Sequence, residues 1–415
     1  MSSDVAFPSR PFVLFWRAHA VSGLGTYVTL LALQALVVLD LGGSATEVGW
    51  LSSARWLPFL VVGVVVGALV DRRPRRPVAV VADLVAAVLL AAVPLLWWTD
   101  VLTFPVLLLV VVAYGTASVV STAATTALLP RLVAPADLQR AHARTDGADA
   151  AAMTAGPALG GLLVSALGAP LAVLADALTY LFSAATLARV EVEEPAPVRG
   201  ARVRALLGEI RDGVVWIYRT SGLATLAVAT HVWFVGHAVV GVVLAPYALL
   251  QLGVTPLGFG VVGAAGGAGA LLGAAATTRV GLRWGTGRTI IACHATTLLG
   301  VLVMVAAGTP SSSATALVVL ALGQGLYGLA MGASNSHEMS YRQLLTPDGL
   351  QARTNTTLRS LNRAVVVVVA PVAGVLADAW GYDAALLLAG VVFAAVVAGL
   401  GASPFRSVRA PTSPD

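Results

Sequence analysis

A basic turn separates two long apolar stretches in the first quarter of the chain: Gly67-Ala68-Leu69-Val70-Asp71-Arg72-Arg73-Pro74-Arg75-Arg76-Pro77. It places one acid and four arginines between apolar segments at 47–70 and 77–98. A soluble protein has no reason to put so much charge between two stretches that lipid would accept. In membrane proteins with several spans, by contrast, short cytoplasmic loops are rich in basic residues. The turn therefore predicts a polytopic membrane protein with this loop in the cytoplasm.

The composition points the same way. Hydrophobic residues make up 58% of the 415 residues and charged residues only 11%, whereas soluble proteins carry about 25% charged residues. The net charge is +5, and every basic residue that contributes to it is an arginine, since the chain has no lysine. These arginines concentrate in loops, which argues against a nucleic-acid partner. Cys293 is the only cysteine, so an intramolecular disulfide is excluded.

Twelve apolar segments approach the ~20 residues that a helix needs to cross a bilayer. The predicted spans are 12–39, 47–70, 77–98, 103–128, 143–167, 170–189, 222–247, 256–279, 287–308, 313–337, 356–379 and 382–402. Every arginine except Arg55 lies near a terminus, in a gap after an even-numbered span or at an adjoining helix end. The predicted fold class is therefore an all-α polytopic membrane protein with twelve transmembrane helices and both termini in the cytoplasm.

The chain also repeats itself. Pro135-Ala136-Asp137-Leu138-Gln139 recurs as Pro347-Asp348-Gly349-Leu350-Gln351, and Gly156-Pro157 with Gly160 recurs more weakly as Ala370-Pro371 with Gly374. The repeat predicts an N-terminal six-helix half at 1–189, a cytoplasmic linker at 190–221 and a C-terminal six-helix half at 222–415. Within the linker, residues 202–219 carry apolar residues at helical spacing and predict an amphipathic helix on the membrane surface.

With these features, the chain resembles a major facilitator superfamily transporter over its whole length. Residues 67–77 are similar to the family's signature between helices 2 and 3. Gly156-Pro157-Ala158-Leu159-Gly160-Gly161 resembles the helix-5 motif associated with exporters, with Ala152 where a further glycine is common. Residues 128–133 and 342–348 resemble the branch that contains enterobactin and macrolide exporters.

The chain also departs from that branch. Thr26 stands where many members carry an acid, and His142 stands where asparagine is usual. The helix-4 arginine motif of many drug–proton antiporters is absent. These departures weaken the resemblance in its coupling residues and leave the fold untouched.

The resemblance implies that the charged turn acts as a latch between the two halves. Its members are Gly67, Asp71, Arg72, Arg75 and Arg76. Glycine allows close helix approach, and Asp71 at a helix end can interact with a neighbouring helix N-terminus. The arginines can pair with acids or hold lipid phosphates. The alternative is that they only fix the topology, although Asp71 does nothing for topology.

The helix-5 motif combines Gly156, Pro157, Gly160 and Gly161. Its glycines remove side chains from one helix face, and its proline breaks the helical hydrogen-bond ladder. Tight helix packing and a bendable helix that seals or opens a cavity are two views of the same property.

In this family, helices 1, 4, 7 and 10 line a substrate cavity between the halves. The candidate cavity residues here are Thr26, Tyr114, Ser118, Trp233, Gln324, Tyr327 and Met331. Aromatic, thioether and hydroxyl groups together suit a bulky, moderately apolar organic molecule. The alternative for each hydroxyl is a hydrogen bond between helices.

Ionisable groups inside a membrane are costly and usually functional. Asp149, below the helix-5 motif, and Glu338, at the end of the helix-10 stripe, are the first candidates for proton coupling, with His237 as the alternative. A permanent pair of Glu338 with Arg342 would make that acid structural instead. We expect Asp176 to serve as a structural partner, and Asp83 and Asp378 to lie near span ends in contact with solvent.

The sequence contains no recognisable catalytic motif. His337-Glu338 lacks the second histidine of a zinc-protease motif, and the glycine-rich segment 263–269 lies in an apolar span without a flanking strand. We therefore expect no cofactor and no metal.

The predicted function is proton-driven export of a small amphipathic compound by a monomer in the cell membrane, with protons and membrane lipids as its other partners. The alternatives are uptake or facilitated diffusion of a metabolite or lipid, and a non-transporting membrane scaffold or enzyme.

Overall fold

The computed structural model describes residues 7–63, 66, 70, 73–192, 194, 208, 211–309 and 312–408. Within these residues the regular structure is helical, without strands, and it contains twelve long helices. They are α1 Arg10–Ala35, α2 Ala45–Val61, α3 Arg75–Trp98, α4 Phe104–Leu128, α5 Leu138–Leu167, α6 Ala169–Leu187, α7 Ala224–Pro246, α8 Pro256–Trp284, α9 Thr286–Ala306, α10 Ser313–Leu345, α11 Asp348–Trp380 and α12 Tyr382–Ala402. The chain continues from α1 and α7 into wider π-helical turns at Leu36–Asp40 and Tyr247–Gln251.

Eleven of these helices are long and apolar enough to cross a membrane. The remaining one, α2, is described as far as Val61, and the rest of its predicted span lies partly outside the described residues. The prediction of an all-α polytopic membrane protein is confirmed. Both α10 and α11 extend well beyond the spans predicted at 313–337 and 356–379. The apolar pattern marks the part of a helix that lipid can cover, whereas the backbone stays helical through the polar residues beyond it.

Turn chemistry explains several helix ends. The side chains of Ser9, Thr255 and Ser312 each accept a hydrogen bond from a main-chain N–H in the first turn of α1, α8 and α10, as N-cap residues do. Gly168, between α5 and α6, has φ 85°, and Gly381, between α11 and α12, has φ 91°. Positive φ costs glycine little, so one residue suffices to reverse the chain at each place.

Contacts divide the chain into two units, residues 1–42 with 54–203 and residues 43–53 with 204–415. In the first unit, α1 packs against α5 and α6, and α3 packs against α4 and α6. In the second unit, α7 packs against α11 and α12, and α9 packs against α10 and α12. The packing pairs correspond after a shift of six helices, as the sequence repeat implies. The boundaries at 189 and 222 stay a prediction.

The second unit includes the first turns of α2. The Asp378 carboxylate on α11 accepts hydrogen bonds from the main-chain N–H groups of Ala45 at 3.1 Å and Thr46 at 2.9 Å. A carboxylate that caps a helix N-terminus satisfies N–H groups that have no partner within the helix. Asp378 is exposed, as expected of a residue near a span end.

The linker is described only in part. Of the predicted amphipathic helix at 202–219, residues 202–207, 209 and 210 lie outside the described residues, and 211–215 are helical. Ile217 follows in a π-helical turn, fully buried against Leu223, Ala227 and Leu358. This end of the linker therefore packs within the second unit, and the membrane-surface helix stays a prediction.

Candidate functional site

The charged turn is described at its second end. Gly67, Asp71 and Arg72 lie outside the described residues. The main-chain N–H groups of Arg75 and Arg76, in the first turn of α3, donate to the Glu194 carboxylate at 2.5 and 2.9 Å. An acid from the segment after α6 thus caps α3. The sequence reasoning missed Glu194, although the paired acids after α6 were a visible signal; the latch stays a prediction.

The glycines of the helix-5 motif lie where α5 meets α1. A Cβ at Gly156 would collide with the Cβ of Tyr27, and a Cβ at Gly160 would lie 3.2 Å from the Cα of Val28. Gly161 is buried, and Pro157 lies inside the continuous helix α5. Small residues at such a face allow close contact between membrane helices. The structure therefore accounts for tight packing, and bending of the helix stays a prediction.

A polar cavity of about 180 Å³ lies inside the first unit. Thr26 and Ser118, both predicted cavity residues, contribute to its wall. The complete lining is Phe15, Ala18, His19, Ser22, Gly23, Thr26, Asp83, Ser118, Ser121, Thr122, Thr125, Tyr180, Ser183 and Leu187. Tyr114, a third predicted residue, is buried behind this wall, and its hydroxyl lies 3.2 Å from that of Tyr180. Helices α1, α3, α4 and α6 thus enclose a space rich in hydroxyl groups.

Asp83 lies in the wall of this cavity and is only 1% exposed. Ser121 donates to one of its carboxylate oxygens and Ser183 to the other, each at 2.6 Å. The expectation that Asp83 is in contact with solvent is therefore wrong. The residue lies two turns inside α3, where α4 and α6 cover it. The burial of Asp83 could not be predicted from its position in the apolar segment, because it depends on which helices pack against that position.

Asp149 lies on the same unit in a different environment. Its carboxylate is 2.9 Å from His19 Nε2, and its side chain is 57% exposed. Asp176, in contrast, is fully buried and accepts a hydrogen bond from Thr179 at 2.7 Å. The structural role expected for Asp176 and the coupling role of Asp149 both stay predictions.

Glu338 lies in the interior of the second unit, 8% exposed. Ser334 donates to one carboxylate oxygen at 2.6 Å, and Thr230 of α7 donates to the other at 3.2 Å. His294 of α9 is 2% exposed, with Nε2 3.8 Å from the same carboxylate. Arg342 donates from Nε to the main-chain carbonyl oxygen of Glu338 at 3.2 Å. The described bonds to the carboxylate thus come from hydroxyls, and the titratable side chains of His294, Cys293 and Arg342 lie near it.

An aromatic cluster occupies the second unit near His237. His237 Nδ1 lies 2.7 Å from the Tyr327 hydroxyl, and its ring stacks on Trp233 with the centroids 4.9 Å apart. Phe393 of α12 contacts both Trp233 and Tyr327. Of the other predicted cavity residues, Gln324 packs at Gly266 of α8, and Met331 is half-buried on α10. The structure therefore brings together three of the residues predicted on helices 7 and 10.

Another chain of contacts joins the linker to this unit. The Tyr218 hydroxyl is hydrogen-bonded to His231 Nε2, and His231 Nδ1 lies 2.6 Å from the Asn362 side-chain oxygen. Burial raises the pKa of the Tyr218 hydroxyl above its ordinary value. This arrangement fixes the end of the linker against α7 and α11.

The sequence reasoning missed His294, although the repeat pairs its helix with the one that carries Asp83. Asp83 and Ser121 lie on α3 and α4, and His294 and Ser334 lie on α9 and α10, the corresponding helices of the second unit. Each unit thus holds a buried titratable side chain and a serine on corresponding helices. Among the described residues, no group of three or more histidine, cysteine, aspartate or glutamate side chains is arranged to hold a metal ion.

The sequence pattern of the Major Facilitator Superfamily matches residues 15–362. This match covers most of the chain, and the chain therefore belongs to the Major Facilitator Superfamily. The family is one of membrane transporters, and eleven of the described helices are long and apolar enough to cross a membrane. The resemblance stated from the sequence is confirmed.

Similar proteins include efflux pumps. The multidrug efflux pump Tap of Mycobacterium tuberculosis is 30% identical over 232 residues, which cover 52% of this chain and 54% of that protein. Macrolide efflux protein A of Streptococcus pyogenes is 26% identical over 232 residues, which cover 54% of this chain and 55% of that protein. The chain thus spans about half the length of these curated relatives.

Solved structures show the same fold at low identity. A variant of the nucleoside transporter NupG has a TM-score of 0.78 at 10% identity, over 95% of this chain and 99% of that chain. A bacterial homologue of the iron transporter ferroportin has a TM-score of 0.68 at 18% identity, over 93% and 98% of the two chains. At these identities the likeness shows the fold alone.

Proposed function

We propose that this protein is a secondary active exporter of small amphipathic organic compounds and that proton antiport drives it. The export direction is supported by the efflux pumps among its relatives and by the helix-5 motif that α5 carries. The low-identity likeness to a nucleoside transporter does not favour uptake, because it bears on the fold alone.

The observation that carries the coupling proposal is the buried Glu338 carboxylate. A buried charge in a low-dielectric interior needs compensation, and a carboxyl group there can be neutral or charged depending on what surrounds it. Ser334 and Thr230 supply neutral donors, while His294 supplies a group that can carry a proton. Uptake of a proton from one side and release to the other would couple proton flow to the substrate cycle.

The energy available is sufficient for accumulation. One charge that crosses a potential of 100 mV yields about 2.3 kcal/mol, enough to concentrate a neutral substrate by some tens of fold per proton. We further propose that the protein acts as a monomer in the cell membrane. Both termini would face the cytoplasm, because the arginines concentrate near the termini and in the gaps after even-numbered spans.

Accumulation of a fluorescent dye in an efflux-deficient host tests the proposal. Cells that produce the protein should hold less dye than cells with an empty vector, and an uncoupler should remove the difference. Greater accumulation of dye, or a difference that survives the uncoupler, would contradict proton-driven export. Proteoliposomes with an imposed pH gradient then separate proton coupling from indirect effects in cells.

A further inference from the structure

The cavity of the first unit contains an acid whose charge has no role in the proposed coupling at Glu338. Asp83 is 1% exposed, and the two groups that bond its carboxylate are the neutral hydroxyls of Ser121 and Ser183. Hydroxyl donors on both oxygens favour the carboxylate, whereas burial favours the neutral acid. A positive charge in the adjoining cavity would settle this balance in favour of the ion pair.

The size of the cavity indicates more than a bare ion. A site for one water needs about 10–15 Å³, and this cavity has a volume of about 180 Å³. Such a space admits an organic group of several atoms. The exposed Thr122 and the half-exposed Ser22 and Thr26 give the cavity an open side next to α1 and α4.

The walls have the chemistry that a protonated amine requires. Hydroxyl oxygens of Thr26, Ser118 and Thr125 can accept hydrogen bonds from ammonium N–H groups. Tyr180 also lines the cavity, and the face of an aromatic ring attracts a cation. Asp83 then supplies the counterion.

We propose that this cavity is a subsite for the protonated amine of an organic substrate, with Asp83 as its counterion. The inference rests on the proposed transport of organic compounds and narrows their class to amphipathic amines. The Glu338 cluster in the second unit keeps the coupling role, so substrate charge and coupling proton are bound by different acids.

Equilibrium binding to the purified full-length protein tests the subsite with a matched pair of probes. The first probe is dansyl-ethylenediamine, which carries a primary ammonium group. The second is its N-acetyl derivative, which keeps the fluorophore and lacks the charge. Wild-type protein should bind the charged probe about tenfold more tightly, a difference of about 1.4 kcal/mol. Asp83→Asn should abolish this preference while leaving the affinity for the acetylated probe unchanged.

Two further variants guard against misfolding and non-specific charge effects. Asp83→Glu keeps the charge and should retain a preference for the amine. Asp100→Asn removes an exposed acid from the connection between α3 and α4 at a position with φ 55°, which asparagine also tolerates, and should behave as wild type.

Three results would overturn the subsite: equal affinity of the wild type for both probes, equal loss of both probes in Asp83→Asn, or displacement of the charged probe by sodium at constant ionic strength. Binding is measured without a gradient, so the two proposals can fail separately. If the protein binds the charged probe selectively but shows no uncoupler-sensitive export, the subsite proposal stands and the exporter proposal is contradicted. If it exports but does not bind the charged probe selectively, only the subsite proposal is contradicted.

Discussion

The Glu338 carboxylate lies 3.8 Å from Nε2 of His294, and both side chains are buried inside the second unit. The two residues come from neighbouring helices, α10 and α9, which pack closely where Gly300 meets Gly323. An acid and an imidazole at this distance interact strongly when water is excluded, because the effective dielectric constant is low. Because an acid and an imidazole face each other in the interior, this pair is the centre of the coupling proposal.

Glu338→Gln should uncouple the transporter while leaving its substrate site in place. Glutamine keeps the shape of the side chain and can still accept the hydrogen bond from Ser334, but it cannot gain or lose the coupling proton. We expect export driven by a pH gradient in proteoliposomes to fall by about tenfold or more, the equivalent of 1.4 kcal/mol. Equilibrium binding of substrate should change far less.

The matched control is Glu191→Gln, which removes an exposed acid beyond α6. It should export as wild type does. Normal gradient-driven export by Glu338→Gln would exclude this acid as the coupling group and leave Asp149 and His237 as the candidates.

His294→Gln and Glu338→Gln should not be additive. If both residues handle the same proton, loss of His294 matters only while Glu338 can ionise, so the double variant should export at the rate of Glu338→Gln alone. Residues in direct contact typically show interaction energies of about 0.5–3 kcal/mol in such cycles. The measurement is the initial rate of gradient-driven export for the wild type, both single variants and the double variant. Simple addition of the two losses would show that the residues act independently.

Gly156→Ala should destabilise the first unit. The added Cβ would collide with Tyr27 of α1, and overpacking of a tight interface costs about 1–3 kcal/mol. Gly147→Ala on the same helix is the control, because nothing lies within 4 Å of the Cβ it adds. Removal of a glycine from the interior of a helix there should stabilise by about 0.5–1 kcal/mol. Thermal unfolding in detergent should therefore shift down for the first variant and remain level or rise for the second.

Most of the fold could be predicted because the features that determine it, apolar runs and the placement of arginine, are visible along the sequence. A span requires a long apolar run, and the placement of arginine predicts which loops share one side of the membrane. Both quantities can be read without knowing which helices touch. The helical ends of α10 and α11 were missed because their polar residues leave the apolar pattern while the backbone remains helical.

The candidate sites were harder to predict for a physical reason. Whether an acid in an apolar segment is solvated depends on its neighbours in space, and Asp83 is covered by helices that follow it in the chain. Glu338 was found because it extends a polar stripe along one helix, whereas its partners Thr230 and His294 belong to other helices. The spacing of polar residues within a helix shows that they share one face. Which face of another helix packs against it is seen only in the folded structure.

Tyr327 provides a test of which part of an aromatic side chain serves the substrate. Its hydroxyl is already bonded to His237, while its ring stacks within the cluster that includes Trp233 and Phe393. Tyr327→Phe keeps the ring and removes a hydroxyl that is bonded to His237, so it should change substrate affinity by no more than about threefold, the equivalent of about 0.65 kcal/mol. Tyr327→Ala should weaken binding by about tenfold or more, because it removes the whole ring from the cluster and with it one of the rings stacked on Trp233.

Tyr341→Ala is the control on the same helix, because Tyr341 contacts Phe405 instead of the cluster. It should bind substrate as wild type does. Affinities are measured on purified variants that elute as wild type in size-exclusion chromatography, which separates site effects from misfolding. An equal loss in Tyr327→Phe and Tyr327→Ala would assign the recognition to the hydroxyl, because both variants lack it, and unchanged binding in both would place the substrate away from this cluster.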